Sequence, residues 1–136
     1  MSVEIADRWF EMKRLADDVT WLWEPHVIPL MRCNIWHIRG RDRDLLVDTG
    51  MGVASLADAT RHLIDKPVKA VATHTHGDHI GGHHEFAECC VHALEAADFE
   101  RTHEPEALTV EAYFGDAGMR RMREAGQAWR IWTPVK

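Results

Sequence analysis

Six consecutive residues, His74, Thr75, His76, Gly77, Asp78 and His79, put four metal-capable side chains directly after the short apolar run Val68 to Thr73. That run has the length and the valine content of a strand, so the polar cluster falls where a strand gives way to a loop, a common place for chemistry. In an extended chain, residues two apart lie on the same side, so the imidazoles of His74 and His76 share one ion. Gly77 frees the backbone to turn and brings the Asp78 carboxylate and the His79 ring towards a second ion nearby. Imidazole nitrogens with one carboxylate oxygen suit zinc first, and iron or manganese are compatible because affinity alone does not fix the metal. A divalent ion there lowers the pKa of bound water towards about 7, which implies metal-assisted hydrolysis as the reaction class.

The rest of the chain is expected to be a layered α/β domain. Phe10, Met12 and Leu15, followed by Val19, Trp21 and Trp23, alternate loosely with polar residues around Asp17 and Asp18, the pattern of a two-stranded hairpin. Asn34 to Arg39 and Leu45 to Val47 continue a sheet across the polar turn Gly40 to Asp44. Asp48, Thr49, Gly50 and Gly52 break it, and Val53, Leu56, Thr60, Leu63 and Ile64 recur at helical spacing up to Pro67. Beyond the histidine run, Cys89 to Ala93 is expected as a strand and Glu95 to Phe99 as a helix. Two short helices are expected between Glu106 and Ala128, where Gly115, Gly118 and Gly126 interrupt the pattern.

The sequence THTHGDHIGG after an apolar strand resembles the H-x-H-x-D-H signature of the metallo-β-lactamase superfamily, and LLVDTGMG upstream resembles that family's first motif. The resemblance implies an αββα sandwich of two similar halves, with a mixed sheet and helices on one face, of which the N-terminal αβ half is present. It implies that His74 and His76 belong to a first metal site and Asp78 and His79 to a second, with two zinc ions in a complete domain. Asp48 supports the ligand loop from behind, and Asp78 also acts in catalysis, orienting the attacking water or accepting its proton. The stretch from Glu24, Pro25 and His26 to Asp48 resembles a branch with acyl-CoA thioesterase-like members. The expected substrate is a small molecule: an ester, thioester, lactam, lactone or phosphoester.

In that family a further histidine comes from a G-H-T-P-G-H motif, and a bridging aspartate follows a glycine; no such histidine motif occurs here. His103 lacks the flanking glycines, and Asp116 in Phe114, Gly115, Asp116 imitates the bridging motif without its histidine partner, so neither is taken as a ligand. His83 and His84 are assigned to supporting or surface positions, and His26, His37, His62 and His92 to structural or surface ones. Residues 1–136 are therefore read as a single truncated domain, with a motif core at about 10–93 and a helical tail at about 94–130. Two alternatives to the hydrolase stand: a metal-binding or partner-dependent fragment without turnover, and an iron-dependent oxidoreductase on the same fold.

Composition narrows the partners. With 22 acidic against 16 basic residues, the formal charge of -6 offers no general field for a phosphate backbone, so nucleic acid is not expected. The basic cluster Arg120, Arg121 and Arg123 is assigned to a solvated helix face. No apolar run reaches membrane-spanning length and no secretory pattern opens the chain, so no membrane contact is expected and the compartment is read as cytoplasmic. Cys33, Cys89 and Cys90 are odd in number with no C-x-x-C spacing, and are read as reduced, mostly buried thiols. A half sandwich leaves an apolar sheet face that seeks cover, so self-association or complementation by a second half is expected. Light scattering on the purified chain is expected to show a species larger than the monomer; a stable, soluble monomer is the contrary result.

Overall fold

In the three strands Val19–Trp23, Ile35–Ile38 and Asp44–Val47 burial alternates with a period of two, and that alternation gives the sheet a buried side. The structure is a computed structural model that describes residues 6–101 and Arg120. Strands β1 (Glu11–Ala16) and β2 (Val19–Trp23) form the expected antiparallel hairpin. β3 (Ile35–Ile38) and β4 (Asp44–Val47) continue it antiparallel, and β5 (Val68–Val71) and β6 (Glu88–Cys90) add parallel strands. The six strands lie in chain order, and their antiparallel and parallel pairings make the sheet mixed, as expected for an N-terminal half of the αββα architecture.

Register sorts the side chains. Thr20, Leu22, Ile35, His37, Asp44, Leu46 and Ala70 point to the buried side. The opposite row pairs Trp21 with Trp36, Trp36 with Val47, and Val47 with Val71, all half-buried. On that side the rings of Trp21 and Trp23 meet at 4.3 Å, and the Trp21 indole N–H donates to Asn34 Oδ1 at 2.9 Å. The core proper gathers Phe10, Leu22, Cys33, Ile35, Leu46, Leu56, Ala70 and Phe86. Each of Leu22, Ile35, Leu46 and Leu56 is fully buried, which stabilises the fold by about 1.5–3 kcal/mol per side chain.

Helix α1 (Leu56–Thr60) is shorter than the apolar spacing from Val53 to Ile64 predicts. Ser55 starts it, its hydroxyl accepting the Asp58 N–H at 3.1 Å, which leaves Val53 exposed in the preceding loop. Thr60 ends it: its hydroxyl donates back to the Leu56 carbonyl at 2.7 Å, a bond that competes with the regular ladder. The start is held again from outside the helix, where the Glu85 carboxylate accepts the Ser55 hydroxyl at 2.6 Å and the N–H groups of Leu56 and Ala57. An anion at a helix start satisfies amides that have no partner inside the helix.

Other expectations shift by a few residues. β6 ends at Cys90, and His92 caps a 3-10 turn at Ala93–Glu95, its Nδ1 accepting the Leu94 N–H; this cuts short the strand expected to reach Ala93. Helix α3 (Ala96–Arg101) follows, where a helix was expected from Glu95 to Phe99. All three cysteines are free thiols, but Cys89 is exposed and Cys90 half-buried, so only Cys33 fits the expected buried thiol. The helices expected between Glu106 and Ala128, with His103, Asp116, Arg121 and Arg123, lie outside the described residues; Arg120 is exposed. Among the described residues no helix is long and apolar enough to cross a membrane.

At the sheet end away from the histidine run, His37 and Asp44 form a buried pair, Nε2 to Oδ2 at 2.8 Å. Asp44 Oδ1 also accepts the Gly40 N–H at 3.1 Å and faces the Lys66 ammonium at 3.5 Å. Burial pushes the Asp44 carboxyl up, but the hydrogen bonds from His37 and Gly40 and the charge of Lys66 outweigh it and hold the carboxyl below its ordinary value. A folded pKa lower than the unfolded one contributes stability that is complete above the unfolded value and is lost as pH falls through the folded one. Denaturant unfolding is therefore expected to show wild type losing stability more steeply than Asp44→Asn below about pH 4, while at pH 7 the variant is the less stable of the two.

Candidate metal centre

The histidine run begins where β5 ends, and its placement depends on a second strand end beside it. β4 and β5 are parallel neighbours, so Asp48 after β4 and Thr73 after β5 emerge at the same edge. Asp48 has φ of 61°, the left-handed region that aspartate tolerates better than most side chains. This turns its carboxylate across to the neighbouring loop. Oδ1 accepts the Thr73 backbone N–H at 2.8 Å, and Oδ2 accepts the Thr73 hydroxyl at 2.8 Å and the His79 Nδ1–H at 2.7 Å.

The last of these bonds decides which nitrogen of His79 is available. With Nδ1 donating to a carboxylate, Nε2 is left pointing away from Asp48, and it lies 3.5 Å from Asp78 Oδ2. Burial raises the Asp48 carboxyl, but hydrogen bonds from His79 and Thr73 more than reverse this and hold it below its ordinary value. Burial lowers His79, and the Asp48 hydrogen bond and the charges of Asp48 and Asp78 bring it above its ordinary value. His74 moves down, first through burial and then through the neighbouring His79 and His76 rings.

The imidazoles gather. The ring centroids of His74 and His79 are 4.0 Å apart and those of His74 and His76 4.6 Å. Asp78 is buried in the first turn of α2 (Gly77–Ile80), which His76 precedes in extended conformation. All four residues expected as ligands are thus brought to one place, with Asp48 behind His79. Among the described residues, no group of three or more His, Cys, Asp or Glu side chains is arranged to hold an ion. The donor set itself, three imidazoles and a carboxylate with one ring fixed by an acid behind it, fits a divalent ion of the zinc type.

Backbone contacts fix the loop after β4 to the segment after the histidines. Thr49 N–H donates to the His79 carbonyl at 2.8 Å, and Gly81 N–H donates to the Gly50 carbonyl at 2.8 Å. A Cβ on Gly81 would lie 2.2 Å from the Met51 carbonyl carbon, so the two chains approach too closely for any side chain there. His83, expected to be a supporting or surface residue, is 2% exposed, with Nδ1 2.7 Å from the Thr49 hydroxyl; burial lowers its pKa. His84 is exposed, its Nδ1 3.0 Å from the Gly81 carbonyl oxygen. His62 and His92 are exposed, and His26 contacts the Arg8 carbonyl at 3.1 Å.

The sequence reading left out one residue at this edge. Glu24 follows β2, continues the inward parity of Thr20 and Leu22, and is only 4% exposed. Its Oε2 accepts the Met51 N–H at 2.9 Å. Burial, opposed by the Met51 bond and helped by the Asp78 charge, pushes its carboxyl up to about 7. The parity itself was the available clue, since an acid at an inward position next to a strand end has to find a donor. Nearby, burial and the charges of Asp48, Glu24 and Asp78 raise the Cys33 thiol well above its ordinary value, which keeps it protonated and unreactive.

Comparison with known proteins agrees with this architecture. Residues 28–118 match the family model of the Metallo-beta-lactamase superfamily. The chain is 41% identical over 113 residues to the acyl-coenzyme A thioesterase MBLAC2 of Gallus gallus, a match covering 76% of this chain and 41% of that protein. It is 33% identical over 137 residues to the protein of the same name from Homo sapiens, covering 92% of this chain and 47% of that one. The chain thus spans about half the length of the curated relatives it matches. Among solved structures, the metallo beta lactamase of Hirschia baltica aligns with TM-score 0.57 and 25% identity, covering 71% of this chain and 49% of that one. That of Erythrobacter litoralis aligns with TM-score 0.53 and 25% identity, covering 71% and 47%. With the Asp48 motif and the run from His74 to His79 both inside the matched segment, the chain belongs to the metallo-β-lactamase superfamily.

Proposed function

We propose that this chain carries the histidine-rich part of a metal-dependent hydrolase site that cleaves a thioester of the acyl-CoA type. The observation that carries the reading is the convergence of the His74, His76 and His79 rings with the Asp78 carboxylate, on a loop held by Asp48. The relatives named as acyl-coenzyme A thioesterases support a thioester over the ester, lactam, lactone or phosphoester that the same chemistry would accept. His74 and His76 would hold one ion, and Asp78 and His79 a second, with zinc the first choice for this donor set. When bound, such ions supply an activated water near neutral pH and polarise the carbonyl.

The residues of the chain do the rest. Asp48 keeps His79 in the tautomer whose Nε2 faces the site, and Thr73 keeps Asp48 turned towards the ring. Asp78 orients the attacking water and accepts its proton at the carboxylate. Water oxygen bonds to the carbonyl carbon, the carbon–sulfur bond breaks, and the proton passes to the departing thiolate, giving an acid and a thiol. Two donors per ion fall short of the three or four usual for zinc, so the remaining ligands are assigned to groups outside the four named.

The shortfall of two donors per ion favours a second reading, in which the chain alone binds an ion weakly and turns over nothing. Metal analysis combined with thiol release from an acyl-CoA separates them: zinc with turnover supports the hydrolase, metal without turnover the binding module. Iron with oxygen consumption would point to the oxidoreductase. In the zinc-loaded, active protein, Asp78→Asn is expected to lower thiol release by about 100-fold or more. Unchanged turnover and metal content would remove Asp78 from the mechanism.

A further inference from the structure

Glu24 is a buried acid that the hydrolytic reading does not use. An apolar side chain of similar size would fill its place without the cost of burying a carboxyl, but would leave the Met51 N–H with no acceptor. The backbone around it is shaped to the carboxyl. Gly50 has φ of 75°, and a Cβ there would lie 2.6 Å from Glu24 Oε2. Carboxyl and turn therefore occupy adjoining space with no room for a side chain between them.

The turn that Glu24 touches is the one that joins both motifs. One residue before Met51, the Gly50 carbonyl accepts the Gly81 N–H; two before it, Thr49 N–H donates to the His79 carbonyl. Three before it, Asp48 grips His79 and Thr73. We propose that Glu24 is a positioning residue: its carboxyl anchors the Gly50–Met51 turn from the end of β2 and thereby sets where Asp48 and His79 stand. β1, β2 and the metal centre are otherwise separated by β3 in the sheet order, so this contact gives the hairpin a direct hold on the site.

The test is hydrogen exchange by NMR on the full, metal-free chain, comparing Glu24→Leu with Glu24→Gln. Leucine keeps the bulk and removes the acceptor, whereas glutamine keeps an acceptor oxygen at the same reach. Exchange at the Met51 and Gly81 amides is expected to quicken about tenfold or more in Glu24→Leu and to stay within about threefold of wild type in Glu24→Gln. The Ile35 and His37 amides should not change, which distinguishes a local hold from general loss of stability. Should Glu24→Leu not fold, Glu24→Asp withdraws the acceptor by one methylene and is expected to give the same local acceleration. Unchanged exchange at Met51 and Gly81, or a glutamine variant as fast as leucine, overturns the proposal. Titration with Co2+, followed by its visible absorption, is a second readout that rests on the metal reading: about tenfold weaker binding is expected for Glu24→Leu alone. If wild type binds no Co2+, the metal reading fails, and the exchange data still decide the role of Glu24.

Discussion

The Asp48 carboxylate is the contact on which the site depends, because it ties together two segments that the chain order keeps apart. It accepts from the backbone and hydroxyl of Thr73, at the entrance to the histidine run, and from Nδ1 of His79, at its end. Both ends of the run are thereby fixed to one group on the neighbouring strand, and the arc between them carries His74, His76 and Asp78. Parallel pairing of β4 and β5 is what makes this reach possible, since it brings two strand ends to the same edge. An antiparallel pair would have put Asp48 and Thr73 at opposite ends of the sheet.

Much of this was legible from residue patterns. Alternation in Val19 to Trp23 and Ile35 to Ile38 marked the strands but not their buried faces: both rows carry apolar side chains, and the row of Val19, Trp21 and Trp23 is half-buried while Leu22 and Ile35 of the other row fill the core. The histidine spacing named the ligand candidates, and the resemblance supplied the role of Asp48. Helix length was legible only in part. Apolar spacing from Val53 to Ile64 describes a face, but the length was set by the Ser55 and Thr60 hydroxyls and by Glu85, a residue distant in sequence whose carboxylate binds the helix start. Periodicity carries no information about such partners.

The supporting groups were the least legible. His83 and Glu24 look ordinary in the sequence, and each acquires its place from a contact with the loop after β4: His83 with the Thr49 hydroxyl, Glu24 with the Met51 amide. That loop is short, rich in glycine and packed backbone to backbone against residues 79–82, so its neighbours are chosen by three-dimensional fit rather than by any local pattern. His37 shows the same limit from the other side. Its tight pairing with Asp44 across the turn between β3 and β4 has no signature beyond two polar residues at inward positions.

Three acids, Glu24, Asp48 and Asp78, are buried at this one edge, 4%, 3% and 6% exposed. Burial disfavours charge on Glu24 and Asp48 alike, yet the two move in opposite directions. Asp48 accepts three hydrogen bonds, one from an imidazole, and is held below its ordinary value. Glu24 is offset by the Met51 amide and lies within reach of the Asp78 charge, so burial prevails and carries it to about 7. Burial raises both carboxyls, and the number and kind of donors set against it separate the two. The arrangement keeps the anion where it must orient His79 and leaves an acid that titrates near neutrality where only a backbone amide has to be held.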